Sequence, residues 1–348
     1  MGNKNQKQQQ ENTATDQKVP SKHFIDKKYK KGYQQLEELK KGDPKKHLQL
    51  DYQHYEQSLE SVKYFCDVII QLVNLQNLTL DFRYFQIEDP ALSAISSVLA
   101  KCKNLVFLDL RFQQNFIEQY SFEQLIQQIS NCNKLETLKL FFGQNFIENF
   151  QAENLEQTLK SLPNLSDFSI DMISNKLSEQ GAINISNALA QCPNMKYLYL
   201  GFRNTFKFSE DFFGFNFKGL SKIQELSFFL DDNSITQQQA KILGDNISCC
   251  SSLNKLTLAL TKNQINQVGS IYLVEGLVNC KQLTNLILRI SSNGIPEEQL
   301  YKVSKILKSL EQINYLEITL GVKKNTKSYQ DSKLELFKLK RLAKFYLF

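Results

Sequence analysis

Tryptophan is absent from this chain, and histidine occurs 3 times, proline 6 times and glycine 13 times in 348 residues. Each shortage closes off a class of function. The histidines, His23, His47 and His54, all lie near the amino end, so neither a zinc-ligand spacing nor a Cys–His nucleophile pair can be assembled. The glycines form no GxxxxGK[ST] phosphate loop, and GxSxG and HExxH are missing as well. Those motifs carry phosphoryl transfer, serine hydrolysis and zinc proteolysis, so no enzyme activity, cofactor or metal is expected. No uncharged apolar run reaches the roughly 18 residues that span a bilayer, and no apolar segment follows a basic start as in a signal peptide. What is present is ample apolar material, 42% hydrophobic with 25 Phe and 14 Tyr. That is a folded rather than a disordered composition.

The net charge of +6 is an average over unlike parts. Residues 1–47 hold 12 Lys against 6 acidic residues, and residues 321–348 hold 8 Lys+Arg against 2, which leaves 22 basic against 28 acidic residues between them. An acidic body with basic ends argues against a nucleic-acid groove along the fold, because phosphate neutralisation needs a basic stripe on the binding face. Residues 1–20, rich in Gln, Asn and Lys, read as a disordered tail. Met1-Gly2 matches the start of an acylation signal, but Gln6 stands where that signal takes Ser or Thr. Membrane attachment is therefore expected only if Gly2 is acylated. Residues 21–47 read as a basic cap containing a helix that Gly42-Asp43-Pro44 stops. Such a cap covers the first core face of a repeat stack.

From Leu48 onward one unit recurs. Copies aligned on LxxLxLxLxxNxI start at Leu75, Leu105, Leu135, Leu165, Met195, Ile223, Leu253, Leu283 and Ile313, spaced by 30 residues with a single 28. All four apolar slots are filled in all nine copies, a pattern with a chance probability of roughly 10^-14 at this hydrophobic content. Alternation across slots two to four predicts a β-strand with one buried face. A second apolar signature lies ten, six and three residues before each start, as in Leu273, Leu277 and Cys280, and this i, i+4, i+7 spacing predicts a helix. Strand alternating with helix makes the strands parallel. Strands stack about 4.8 Å apart while packed helices stand about 8–10 Å apart, so the helices take the convex side of an arc and the sheet lines the concave side. Partial copies at Leu48 and Leu50, and at Leu342, Phe345 and Leu347, flank the nine full ones.

LxxLxL, the Asn after the strand and the Cys or Leu that closes each helix resemble the ribonuclease-inhibitor-like class of leucine-rich repeats, over residues 48–348. The departure is the extra apolar slot, which lengthens the strand by two residues. The resemblance implies an α/β solenoid that binds a protein on its concave face, and in a few members regulation of a small GTPase.

Asn115, Asn145, Asn175, Asn233, Asn263 and Asn293 share one slot past the strand and are expected to form a structural ladder that satisfies turn backbone groups. Five of the seven cysteines occupy the last helical slot, where cysteine acts as a small hydrophobe. Unpaired buried thiols point to a reducing, cytoplasmic setting. The strand positions between core slots face the concave solvent, and there aromatics interleave with charge. Phe141, Tyr197, Tyr199, Arg203 and Phe229, flanked by Arg111 and Asp171, have the composition of a binding hot spot. The sixth unit is Phe-rich, lacks the Asn and has lost two residues, but Phe213, Phe217 and Leu220 keep helical spacing. The sequence thus predicts a non-catalytic scaffold for a partner protein. The alternative is a structural subunit held in an assembly through its basic ends.

Overall fold

A computed structural model describes residues 47–51, 58–148, 152–206, 208 and 213–347. The tail and the helical cap expected upstream fall on residues outside those, His47 excepted. The described chain is a leucine-rich-repeat solenoid. Eleven strands form one parallel sheet in strict sequence order. They are β1 (His47–Asp51), β2 (Asn77–Asp81), β3 (Phe107–Arg111), β4 (Thr137–Phe141), β5 (Asp167–Asp171), β6 (Tyr197–Gly201), β7 (Glu225–Phe229), β8 (Lys255–Ala259), β9 (Asn285–Arg289), β10 (Tyr315–Thr319) and β11 (Lys344–Leu347). The described residues also hold nine helices: α1 (Leu59–Ile69), α2 (Asp89–Leu99), α3 (Gln119–Ile129), α4 (Ala152–Lys160), α5 (Glu179–Leu189), α6 (Gln237–Ser248), α7 (Asn266–Leu277), α8 (Gln299–Leu307) and α9 (Lys327–Leu336). The partial copies at both ends supply β1 and β11.

Every one of the repeated strand and helix slots is buried, in one continuous core between sheet and helices. The fourth apolar slot, such as Phe142, lies one residue beyond its five-residue strand, yet its N–H still donates to the next repeat, Phe142 to Asp171 O at 2.8 Å. The ladder therefore runs past the strand proper and carries a stacked phenylalanine column, Phe82–Phe112–Phe142, with ring centroids 5.2 Å apart at each step. The chain then turns through a left-handed residue just before the asparagine slot, as at Gln114, Gln144, Ser174 and Lys262.

The asparagines tie each turn to the one before. Asn145 Nδ2 donates to Phe112 O and Phe142 O, both at 2.9 Å, and its Oδ1 accepts the Ile117 N–H at 3.1 Å. Asn175, Asn263 and Asn293 repeat the arrangement one unit further on each time, and Asn115 opens it. In the sixth unit Thr205 takes the rung, its Oγ1 donating to Met172 O at 2.9 Å, and Asn233 accepts the N–H groups of both Thr205 and Phe206.

The sixth crossover departs from expectation. Phe213, Phe217 and Leu220 are buried as their spacing requires, but described residues 213–223 contain no helix. The segment packs closely on α5, where a Cβ placed on Gly214 would fall 2.6 Å from Ala182 Cβ. Neighbouring helices supply the hydrogen bonds that an internal helix would have made. Ser186 Oγ accepts the Asn216 N–H at 2.8 Å, and Asn246 Nδ2 donates to Phe215 O at 2.6 Å. Phe202, Phe206, Phe213 and Phe228 surround Phe215 with centroids 4.9–5.7 Å away, filling the volume a helix would occupy.

Candidate functional site

The open face of the sheet is read as rows across the strands. The row at the carboxyl ends runs Asp81, Arg111, Phe141, Asp171, Gly201, Phe229, Ala259, Arg289. The middle row places Tyr199 beside Ser169 and Ser227. Phe141 and Tyr199 stand two strands apart, yet their ring centroids are only 6.0 Å apart, so both rings lean over β5. Tyr199 also reaches Phe229 at 5.2 Å. Gly201 permits this: a Cβ there would meet Tyr199 Cε1 and Asp171 Cγ, each at 3.1 Å. The outcome is one aromatic strip, Phe141–Tyr199–Phe229, spanning β4 to β7.

Asp171 sits within that strip and is 8% exposed. Its Oδ1 accepts the Ile173 N–H at 2.9 Å. Its Oδ2 makes no hydrogen bond among the described residues, but is not sealed from solvent. Burial pushes the carboxyl up to about 6, against the lowering effect of the Ile173 N–H. Burial, and then the nearby Asp171 carboxylate, pushes the Tyr199 phenol up to about 12. Burial likewise raises Asp167, partly offset by Lys139, whose Nζ is 3.9 Å from Asp167 Oδ2 and 5.8 Å from the Phe107 ring centroid.

The other expected binding residues are placed unevenly. Tyr197 is 40% exposed and lies one row off the strip, between Asp167 and Glu225. Arg203 is exposed at the rim of a depression of about 230 Å³ that Phe229, Asp231 and Arg289 also line. Arg111 is not a free flank: its guanidinium holds Asp109 at 2.8 Å and Asp81 at 3.9 Å. Asp81 and Asp109, strand-face positions expected in open solvent, are buried under Arg83 and Arg111 respectively, since an arginine two residues along a strand lies on the same face and folds back over the carboxylate. Further out, Lys255 pairs with Glu225 at 2.6 Å and Arg289 with Glu317 at 2.9 Å. Sequence reasoning missed Gly143 and Gly201, whose lack of Cβ makes room for the Asp171 carboxylate, since a Cβ there would lie 3.3 Å from Oδ1 or 3.1 Å from Cγ. A glycine in an otherwise side-chain-bearing row was the available signal.

All seven cysteines are unpaired, and every one except Cys249 is buried. Burial pushes the Cys132 thiol up to about 12, which makes it inert. Among the described residues no group of three His, Cys, Asp or Glu side chains could hold a metal ion, and no helix is long and apolar enough to cross a membrane.

No family model matches the chain, and no curated protein does. Among solved structures it is similar to an internalin (inlF) of Listeria monocytogenes, with 16% identity and a TM-score of 0.46 over 80% of this chain and 69% of that one. It is also similar to internalin C2 of the same organism, with 20% identity and a TM-score of 0.42 over 73% of this chain and 84% of that one.

Proposed function

We propose that the chain is a protein-binding scaffold of the ribonuclease-inhibitor-like class, holding a partner against its concave face and performing no chemistry itself. The observation that carries this reading is the strip Phe141–Tyr199–Phe229. Its three rings are half-buried, pack on one another above the sheet and belong to no part of the core. Aromatic side chains held rigid by their neighbours yet open on one side are the usual anchors of a protein interface. Tyr197 and Arg203 extend the surface along and beyond the strip. True α-helices of 9–12 residues on the convex layer support the class. Unpaired buried thiols fit a reducing compartment, and the remaining division, a tail over 1–20 and a cap over 21–47 before the repeats, completes the reading. The test is capture of cross-linked partners from a native extract by the whole chain and by the double variant Tyr197→Ala, Tyr199→Ala. Capture weakened by about fivefold or more with an unchanged melting curve is expected, and undiminished capture moves the site off this face.

A further inference from the structure

The chain makes the same small turn twice with different chemistry around it. At the end of β2 the Oδ1 of Asp81 accepts the N–H of residue i+2, Arg83, at 3.2 Å. Arg83 then closes on the carboxylate, Nη2 to Oδ2 at 2.6 Å, and Arg111 on the next strand adds a second guanidinium at 3.9 Å. These partners hold the Asp81 carboxyl below the usual carboxylate range against the opposing pull of burial. At the end of β5 the Oδ1 of Asp171 accepts the N–H of residue i+2 in the same way. Residue i+2 is now Ile173, and the row neighbours are Phe141 and Gly201. No cation of the described residues pairs with Asp171. Lys139 on β4 turns to Asp167, and Arg203, beyond β6, makes no ion pair among the described residues.

A buried carboxylate without a counter-charge is costly, and natural folds supply a partner or hold the group for a ligand. The surroundings of Asp171 are arranged for the second case. The Phe141 and Tyr199 rings meet across its strand, Oδ2 has no hydrogen-bond partner among the described residues, and the absence of a Cβ at Gly143 and Gly201, which would lie 3.3 Å from Oδ1 or 3.1 Å from Cγ, is what lets the carboxylate sit here beneath the strip. Aromatic rings and a carboxylate together form a receptor for an organic cation. We infer that the centre of the concave face binds a cationic side chain of the partner protein, an arginine or lysine that meets Asp171 Oδ2 and the rings of Phe141 and Tyr199. The incoming side chain takes the part that Arg83 and Arg111 play at Asp81.

The inference rests on the protein-binding reading but is tested without the natural partner. The full chain, with ring-labelled tyrosine, is titrated with N-acetyl-arginine methylamide, N-acetyl-lysine methylamide and the neutral isostere N-acetyl-citrulline methylamide, and the Tyr199 ring signals are followed. The two cations are expected to shift those signals with an affinity at least about tenfold above that of citrulline, the range of a charge-assisted hydrogen bond. Asp171→Asn, which keeps an Oδ1 for the Ile173 N–H, should remove the difference between cation and isostere. Ile173→Arg, which provides the cation in cis as at Asp81, should remove it too while the carboxylate remains. Equal response to arginine and citrulline, no response to either cation at millimolar concentration, or an unchanged preference in Asp171→Asn overturns the inference. Each of those results leaves the concave-face reading to be decided by the Tyr197 and Tyr199 double variant.

Discussion

Asn145 is the residue on which the turn chemistry can be tested most directly. It is buried, and its amide closes four backbone bonds across two repeats. Asn145→Ala leaves the Ile117 N–H without its acceptor, while Phe112 O and Phe142 O keep Asn115 and Asn175 as donors, and one buried unsatisfied group costs about 1–3 kcal/mol. A loss of about 1–3 kcal/mol in denaturant unfolding is expected, and a change below about 0.5 kcal/mol would show that water replaces the amide. Asp171 gives the second test at this scale. Its carboxyl is raised to about 6, so between roughly pH 4 and pH 6 the folded chain keeps a proton that the unfolded chain has released. Stability at this site therefore falls as pH rises through that window and is level above it. The titratable group in electrostatic contact with it is Tyr199 on β6, while Asp167 on its own strand and Lys139 on β4 pair with each other. Asp171→Asn should be more stable than the parent at pH 7, with the gap closing toward about pH 4 in thermal melts. A pH-independent gap would place the cost elsewhere. The core residues were legible because burial recurs with the repeat. Asp171 was legible as a strand-face residue, but its burial was not, since that depends on Phe141 and Tyr199 leaning across from β4 and β6.

The elements were legible wherever period alone decides them. Leu273, Leu277 and Cys280 predict α7, and α7 is there. Phe213, Phe217 and Leu220 have the same spacing and form no helix, because the bonds from Ser186 and Asn246 and the rings packed around Phe215 are tertiary facts with no periodic trace. The contact between α6 and α7 is similarly invisible to period, and it is the tightest helix pair. A Cβ at Gly276 would lie 2.4 Å from the Gly244 carbonyl carbon, backbone against backbone, where no rotamer can yield. Gly276→Ala must separate the two helices, and overpacking of that kind costs about 1–3 kcal/mol. The gain in helix propensity from Gly to Ala, about 1 kcal/mol, opposes it. A net destabilisation is expected, largest in amide exchange of α6 and α7. A stabilised variant would mean that the two helices part freely.

At the scale of the whole molecule the question is which side of the arc a partner meets, since aromatics are exposed on more than one. Tyr272 on α7 and Tyr301 on α8 stand on the convex layer, both 36% exposed. Phe116 and Phe146 stack at 6.2 Å in the turns between strand and helix. These residues differ from the concave strip in their setting. The convex tyrosines are single, flanked by the solvated faces of their helices, and surface aromatics of that sort are ordinary. The concave rings are in mutual contact over a carboxylate that lacks a counter-charge. A parallel sheet also offers a rigid platform, because each strand is fixed by ladders on both sides, so a side chain on it is ordered before binding and loses less entropy there. Paired substitutions of equal size therefore separate the surfaces: Tyr197→Ala with Tyr199→Ala, Tyr272→Ala with Tyr301→Ala, and Phe116→Ala with Phe146→Ala. Each variant chain is assayed for capture of the partner from a native extract with a soluble cross-linker that reaches every face. Only the first pair is expected to weaken capture, by about fivefold or more, with all three melting curves cooperative. Loss in the convex pair alone would assign recognition to the helix layer, and loss in the Phe116 and Phe146 pair alone would assign it to the turn edge.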